Sequence, residues 1–211
     1  MTSEVKTLSP DGVIGFAIDM AREAHHEQYR SSASGARVPY SSHPILVVHY
    51  LVSAGMQNDI VLAAAALHDV VEDCFDPSWS TEKAQEFLAR QLLRRPEIDG
   101  DKALRINRLV AEVTVPRELS GDDKLGYKAK IIPSISAEAQ LIIFADAIAN
   151  LHSLVFEPPT WDTRRKARYF RALRERVELL MPLLLKTRIN LEAAMLRQRF
   201  QRLENLFTEK V

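Results

Sequence analysis

Four ionisable residues lie close together within one apolar segment of this sequence. The segment IVLAAAALHDVVED contains His68, Asp69, Glu72 and Asp73. No Lys or Arg occurs between positions 38 and 82, so the sequence offers these carboxylates no basic neighbour. Burying such groups without a partner costs several kcal/mol each. Because neutral imidazole and carboxylate oxygens are suitable ligands for Mn, Fe or Zn, a bound metal would compensate for the charge. A structural His-Asp pair is the alternative that this segment alone leaves open.

The spacing of these four residues places them on one side of a helix. Glu72 follows His68 by four positions, and Asp73 follows Asp69 by four. Side chains four residues apart stack in neighbouring rows on a helix surface. Metal ligands and a second pair of carboxylates can therefore share one cavity.

Two further segments carry a polar residue in apolar surroundings. The string PYSSHP places His43 at the start of a helix. The string LIIFADAIANL places Asp146 inside an apolar helix, with Asn150 one turn later on the same face. The order His, then His-Asp, then Asp is similar to that of the HD superfamily of metal-dependent phosphohydrolases.

The elements that must position these residues are helices. Apolar residues recur at spacings of three and four through most of the chain, and we find no alternating strand pattern. The first helix is expected to start at Asp11 as its N-cap, and Pro77 is expected to end the third. The predicted helices span residues 11–30, 43–55, 58–76, 81–94, 99–113, 123–132, 136–156, 161–180 and 183–208. These elements predict an all-α fold in one domain covering 1–211, with a core of about 11–157 on which helices 161–208 pack.

Length and composition exclude several classes of protein. The chain has 211 residues, of which 46% are hydrophobic and 27% charged, as in an ordinary globular protein and unlike a disordered or collagenous one. Its one cysteine, Cys74, fits a reducing compartment. The start MTSEVKTLSPDG lacks the features of a signal peptide, and no apolar run approaches the about 18 residues of a membrane span. We therefore expect a cytoplasmic protein that does not enter a membrane.

The charges are balanced overall but unevenly distributed. With 28 basic and 28 acidic residues, net charge gives no argument for nucleic-acid binding, and none is expected. The segment 164–202 nevertheless holds twelve Lys or Arg against three Glu. This segment is either a basic wall for phosphates or a solvated helix face. Its apolar positions leave a homo-oligomer contact open.

The motifs together resemble one family closely. The strings AHHEQYR, VPYSSHP, LHDVVED and FADAIANL are similar to AHxxQxR, PYxxHP, LHDxxED and LADxxxNL of the hydrolase domain of the RelA/SpoT alarmone family, most of all its small single-domain members. The likeness extends over about residues 20–205. It implies an HD-type helical bundle that uses Mn²⁺, or another divalent metal, to hydrolyse the 3′-pyrophosphate of (p)ppGpp or (p)ppApp. The small-molecule products would be pyrophosphate and the nucleoside 5′-phosphates GDP or GTP, or ADP or ATP.

The resemblance also implies roles for individual residues. The implied metal ligands are His43, His68, Asp69 and Asp146. The implied catalytic pair, which orients or deprotonates the attacking water, is Glu72 and Asp73. The implied substrate-binding residues are Arg30, Lys124, Asn150, Arg165 and Tyr169.

Four positions depart from the family pattern. They are Ile143, Ala147, Ala149 and His152. We expect them to reshape the nucleotide pocket, which leaves open a phosphohydrolase for another nucleotide, such as the 2′-phosphate of NADPH. A separate alternative is a non-catalytic HD module that senses nucleotides. A complete Glu72-Asp73 pair favours an enzyme over a sensor.

Overall fold

The computed structural model describes residues 12–96 and 98–210, which form a bundle of α-helices with one short hairpin. In chain order the elements are α1 (Val13–Ala24), β1 (Tyr29–Ser31), β2 (Arg37–Pro39), α2 (Ser42–Ser53), α3 (Asp59–Leu67), α4 (Val70–Asp73), α5 (Thr81–Leu93), α6 (Gly100–Val113), α7 (Gly121–Ile131), α8 (Ala137–Phe156), α9 (Thr163–Leu184) and α10 (Asn190–Lys210). The all-α prediction is confirmed. Helices α2, α5, α6, α7 and α8 begin and end within two residues of their predicted bounds.

The first helix is shorter than predicted. It ends at Ala24, and Glu27 then adopts a left-handed backbone conformation with φ of 66°, in which a right-handed helix cannot continue. The chain continues as β1, which pairs antiparallel with β2. Gly35, with φ of 79°, provides the positive φ between the two strands. The prediction of a helix to residue 30 and of no strands was therefore wrong, and the predicted cap Asp11 lies outside the described residues.

The third helix is interrupted at the residues that carry its chemistry. α3 ends before His68, and α4 begins after Asp69, so a two-residue turn replaces the continuous helix that was predicted. The Ala65 carbonyl, which in an unbroken helix accepts the N–H of Asp69, accepts the Nδ1–H of the His68 ring at 2.8 Å. The interruption thus fixes the His68 imidazole against the backbone.

Helix α8 lies at the centre of the bundle. It packs against α2, α3, α6, α9 and α10, and Phe144 and Ile148 are fully buried. Contrary to expectation, α8 is long and apolar enough to cross a membrane, with a mean hydropathy of 1.5, but 78% of that stretch is buried inside the protein. Its apolar surface therefore forms the core, and this core holds Asp146 and Asn150 in place.

The two C-terminal helices pack on α8 and on each other. Pro182 does not divide them as predicted but lies inside α9, which continues to Leu184. Proline lacks an N–H, so its cost here is one hydrogen bond to the Glu178 carbonyl in the last turn of the helix. α9 also contacts α7, and these two helices form one wall of the site described below. The single-domain organisation over 1–211 stays a prediction.

Candidate active site and metal centre

The four predicted metal ligands meet in the core of the bundle. The start of α2 contributes His43, the turn between α3 and α4 contributes His68 and Asp69, and α8 contributes Asp146, all of them buried. Asp146 Oδ1 lies 3.1 Å from His43 Nε2 and 3.7 Å from His68 Nε2. Asp69 Oδ1 lies 3.1 Å from His68 Nε2, and Asp69 Oδ2 lies 3.5 Å from His43 Nε2. Three segments distant in sequence thus present imidazole nitrogens and carboxylate oxygens to one another.

This donor set fits a divalent cation. Because His68 donates its Nδ1–H to Ala65, the lone pair of a neutral ring is on Nε2. Asp69 Oδ1 lies 3.1 Å from the buried Nε2 of His68, but among the described residues no group makes a well-oriented hydrogen bond to that nitrogen. One donor atom each from His43, His68 and Asp69 lie within 4.8 Å of one another. Lone pairs that converge in a buried space require a cation between them, and nitrogen and carboxylate donors suit Mn, Fe or Zn.

The two histidines have opposite pKa shifts. Burial, reinforced by the positive charge of Arg30, lowers the pKa of His43 to about 4. Burial also disfavours the charged form of His68, but the neighbouring Asp69 and Asp146 carboxylates outweigh it and raise the pKa of His68 to about 10. The two carboxylates therefore favour one positive charge beside them. A proton on His68 supplies this charge, and a metal ion can take the place of that proton.

Asp146 has a partner that the sequence did not reveal. Lys128, buried on α7, places Nζ 3.1 Å from Asp146 Oδ2. Burial tends to lower the pKa of Lys128, but Asp146 and then Glu72 outweigh it and raise the pKa. Asn150 donates its Nδ2–H to the other oxygen, Asp146 Oδ1, at 2.6 Å. Another helix therefore brings a lysine to this carboxylate, which the absence of Lys and Arg between positions 38 and 82 of the sequence could not show.

The predicted catalytic pair lies beside the His-Asp cluster. Glu72 is buried, and its Oε1 accepts the Val115 N–H at 2.8 Å. Lys124 Nζ lies 3.2 Å from Glu72 Oε2 and 3.3 Å from Asp73 Oδ1, so one ammonium bridges the two carboxylates. Burial raises the pKa of Glu72 although Lys128 and Lys124 act against it. A carboxylate with a raised pKa is a stronger base than an ordinary glutamate.

A cavity of about 390 Å³ opens from this cluster. All five predicted substrate-binding residues line it: Arg30, Lys124, Asn150, Arg165 and Tyr169. Residues that sequence reasoning missed also line it: Tyr40, Lys128, Trp161, Arg168 and Arg176. Six basic side chains thus face four carboxylates around one space, an arrangement suited to a polyanionic ligand with a metal ion.

Tyr40 connects the hairpin to the cluster. Its hydroxyl donates a hydrogen bond to Asp69 Oδ2 at 2.9 Å, and its ring stacks on His25 with centroids 4.6 Å apart. Burial and the charges of Asp69 and Asp73 raise the pKa of Tyr40, which keeps the hydroxyl a donor. The signal for this residue was present in the sequence, because Tyr40 lies in the PYSSHP string.

A second cavity of about 330 Å³ adjoins the first. The two share five lining residues: Arg30, Tyr40, Asn150, Trp161 and Tyr169. The second cavity adds apolar surface from Val38, Leu154 and Pro159. Together they offer a charged compartment next to a more apolar one.

The four positions that depart from the family pattern do not shape these cavities. Ile143, Ala147 and Ala149 are buried in the core of α8, and none of them lines either cavity in the described part of the chain. His152 instead lies with Nδ1 2.8 Å from the Tyr50 hydroxyl. The expectation that they reshape the nucleotide pocket was therefore wrong.

Comparison with known proteins agrees with this geometry. No family model matches the sequence. The chain is 32% identical over 156 residues to mouse guanosine-3′,5′-bis(diphosphate) 3′-pyrophosphohydrolase MESH1, covering 73% of this chain and 76% of that protein. It is 32% identical over 148 residues to the Drosophila melanogaster protein of the same name, covering 69% of this chain and 72% of that protein.

A solved structure gives the same relationship in three dimensions. That protein is described as a metazoan ortholog of SpoT that hydrolyzes ppGpp and plays a role in starvation responses. The match has a TM-score of 0.70 and 26% sequence identity, and covers 93% of this chain and 98% of the other. Sequence and fold agree over most of both chains, and the chain belongs to the MESH1 family of HD-type hydrolases.

Proposed function

We propose that this protein is a metal-dependent 3′-pyrophosphohydrolase of nucleotide alarmones. Its substrates are (p)ppGpp or (p)ppApp, and its products are pyrophosphate with GDP or GTP, or with ADP or ATP. The observation that carries the proposal is the meeting of two imidazoles and two carboxylates in a cavity walled by Lys and Arg. The activity named for the MESH1 relatives supports the same reaction.

The metal would be held by His43, His68, Asp69 and Asp146. A divalent cation, when bound, supplies Lewis-acid polarisation of a phosphoryl oxygen and makes water more acidic. We take Mn²⁺ as the first candidate, since imidazole with carboxylate donors suits it, while other divalent ions suit the same donors.

Glu72 and Asp73 would manage the water and its proton. Glu72, whose pKa burial raises, accepts a proton from the attacking water, and Asp73 orients that water. The water oxygen bonds to the phosphorus next to the ribose as the bond from this phosphorus to the 3′ oxygen breaks. The proton then passes to the 3′ oxygen, which leaves as a hydroxyl group, while the water oxygen remains in pyrophosphate.

The cavity walls would position the nucleotide. Arg165 stacks on Trp161 with its guanidinium carbon 4.3 Å from the ring centroid, and Arg30 donates to Ser153 Oγ at 3.1 Å. These contacts hold the Arg30 guanidinium where the two cavities meet and the Arg165 guanidinium in the wall of the charged one. An arginine fork matches phosphate oxygens geometrically. The phosphates would occupy the charged cavity and the nucleoside the more apolar one.

The test is turnover of a substrate panel. Metal-free protein receives Mn²⁺, Mg²⁺ or Zn²⁺ and then ppGpp, pppGpp, ppApp or NADPH, with the released phosphates resolved by chromatography. We expect pyrophosphate from an alarmone with Mn²⁺ and none with chelator. Asp69→Ala removes one ligand, and Asp101→Ala, on the exposed first turn of α6, is the matched control.

Two results would contradict the proposal. Phosphate release from NADPH without alarmone turnover would indicate a phosphohydrolase for another nucleotide. Binding of alarmone and metal without any product would indicate a sensing module. A cytoplasmic location stays the expectation from the sequence.

A further inference from the structure

Arg176 is a buried cation that the proposed reaction leaves without a role. It lies on α9, its residue is only 4% exposed, and it lines the charged cavity. Its Nη2 donates to the Leu125 carbonyl at 2.9 Å. Its buried Nε has no hydrogen-bond partner, and no ion pair to Arg176 occurs, within residues 12–96 and 98–210.

Such an arrangement is costly in the free protein. A buried guanidinium normally has a carboxylate partner, and a buried N–H without an acceptor destabilises the folded protein. The two lysines of this site already form ion pairs with its carboxylates: Lys124 pairs with Glu72 and Asp73, and Lys128 pairs with Asp146. The positive charge of Arg176 thus has no carboxylate partner within the described residues, and neither lysine of this wall is available to share one with it.

The spacing of Arg176 and Arg165 along α9 gives the length of this cavity wall. Arg165 lies eleven residues earlier on the same helix and lines the same cavity. Eleven residues of α-helix correspond to a rise of about 16 Å and to slightly more than three full turns, so both side chains lie on one face. Tyr169, between them, also lines the cavity. The wall therefore has a cation near each end.

We propose that Arg176 binds a diphosphate group of the substrate through its Nε–H. The inference rests on the proposed function, because an alarmone carries one diphosphate at its 3′ oxygen and one at its 5′ oxygen. The anion supplies both the missing acceptor for Nε and the missing negative charge. Arg176 is then a specificity-determining residue that favours a diphosphate at this position over a smaller anion.

The test uses the metal-loaded protein after removal of free metal. Inorganic pyrophosphate and GDP are titrated separately by calorimetry into the parent, Arg176→Met, Arg176→Lys and Arg174→Met. Arg174 is the matched control, because it lies two residues away on α9 with half of its side chain exposed. A charge-assisted hydrogen bond corresponds to an affinity loss of about ten- to a hundredfold in Arg176→Met.

The ligand whose affinity is lost in Arg176→Met identifies the diphosphate that Arg176 binds. Loss of pyrophosphate affinity with GDP affinity kept assigns Arg176 to the departing 3′-diphosphate. Loss of GDP affinity with pyrophosphate affinity kept assigns it to the 5′-diphosphate, and either result supports the inference. Unchanged affinity for both ligands in Arg176→Met overturns it.

Stability separates binding from a merely structural role. Leu125 lies within α7, where its carbonyl also accepts an intrahelical hydrogen bond, so removal of the guanidinium leaves no orphaned acceptor there. Arg176→Met should therefore keep or raise the Tm, by about 2–4 °C, because an unpaired buried charge is removed. If Arg176→Met lowers the Tm, the Arg176→Lys variant distinguishes a binding role from a structural one. Parental affinities in the lysine variant overturn the role of Nε, and weaker binding at parental Tm supports it.

Failure of this inference differs from failure of the proposed function. If the parent protein hydrolyses no alarmone, the proposed function fails, whereas the pyrophosphate and GDP titrations still report on Arg176. If the parent turns over alarmone and both affinities are unchanged in Arg176→Met, only the present inference fails.

Discussion

The Tyr40 hydroxyl donates a hydrogen bond to Asp69 Oδ2 at 2.9 Å, which connects the β-hairpin to the His-Asp cluster. Partners of this kind orient a ligating carboxylate, and their loss typically lowers metal affinity or activity by about 10–100-fold. We expect Tyr40→Phe to weaken Mn²⁺ binding by such a factor, measured by calorimetry, while the ring packing on His25 is kept.

The control for this prediction is Tyr50→Phe. Tyr50 is a buried tyrosine whose hydroxyl lies 2.8 Å from His152 Nδ1, and it lines neither cavity. Its removal deletes a comparable hydroxyl away from the cluster, so Mn²⁺ affinity should not change. Parental Mn²⁺ affinity in Tyr40→Phe would show that the hydroxyl does not orient Asp69.

Lys128→Met should destabilise the metal-free protein. The ammonium neutralises Asp146 inside the core, and breaking such a buried pair from one side costs about 3–5 kcal/mol. A bound divalent cation restores positive charge next to Asp146, so the loss should be smaller with Mn²⁺ than with chelator. Urea unfolding under both conditions measures the free energy of unfolding.

Lys130→Met is the comparison for that lysine. Lys130 is exposed and lies two residues away on the same helix, so its removal should leave stability within about 0.5 kcal/mol of the parent. Equal stability of Lys128→Met and Lys130→Met in chelator would show that Asp146 does not depend on the buried ammonium.

The His-Asp cluster was predictable because its residues contradict their local sequence. A polar residue inside an apolar helix, such as Asp146 in LIIFADAIANL, is visible in the sequence itself and calls for an explanation. Arg176 gives no such signal, since it lies in an arginine-rich segment where the exposed Arg174 likewise stands between an apolar residue and Glu175. Which of the two is buried depends on how α9 packs against α7, and this tertiary packing cannot be read from the sequence.

The hairpin and the interruption before α4 escaped prediction for a different reason. Strands of three residues are too short to show the alternating pattern that identifies them. The turn at His68 and Asp69 preserves the apolar periodicity on both sides, so it is invisible to a count of apolar spacings. The resemblance in motifs identified the residues of the site correctly as neighbours, while the backbone that presents them was learned from the structure.

Glu72→Gln should separate catalysis from metal binding. An amide cannot accept the proton of the water, and loss of a general base lowers turnover by about a hundredfold to ten-thousandfold. The Val115 N–H still has an oxygen to bond to, so the local structure should persist. Turnover of the alarmone and Mn²⁺ stoichiometry are measured on the same preparation.

Glu82→Gln, on the exposed first turn of α5, provides the comparison and should retain full turnover. Loss of Mn²⁺ from the Glu72→Gln protein would make Glu72 a ligand and not a base. Parental turnover in that variant would assign the proton transfer to another group.

The thiol of Cys74 should be unreactive in the folded protein at neutral pH. Burial, followed by the charges of Asp73 and Asp69, raises its pKa from 9.0 to about 12, which lowers the thiolate fraction at pH 8 roughly a thousandfold. Because the folded-state pKa exceeds the unfolded-state value, the stability from keeping this proton is present below pH 9 and is lost as pH rises toward 12.

Iodoacetamide labelling of Cys74 from pH 7 to 11, followed by mass spectrometry, measures the thiolate directly. The rate in the folded protein should still be rising steeply at pH 10, whereas the rate in urea should reach half of its maximum near pH 9. Since Cys74 is half-buried and not sealed from solvent, equal rates in the folded and unfolded protein would mean that its neighbours do not hold the proton.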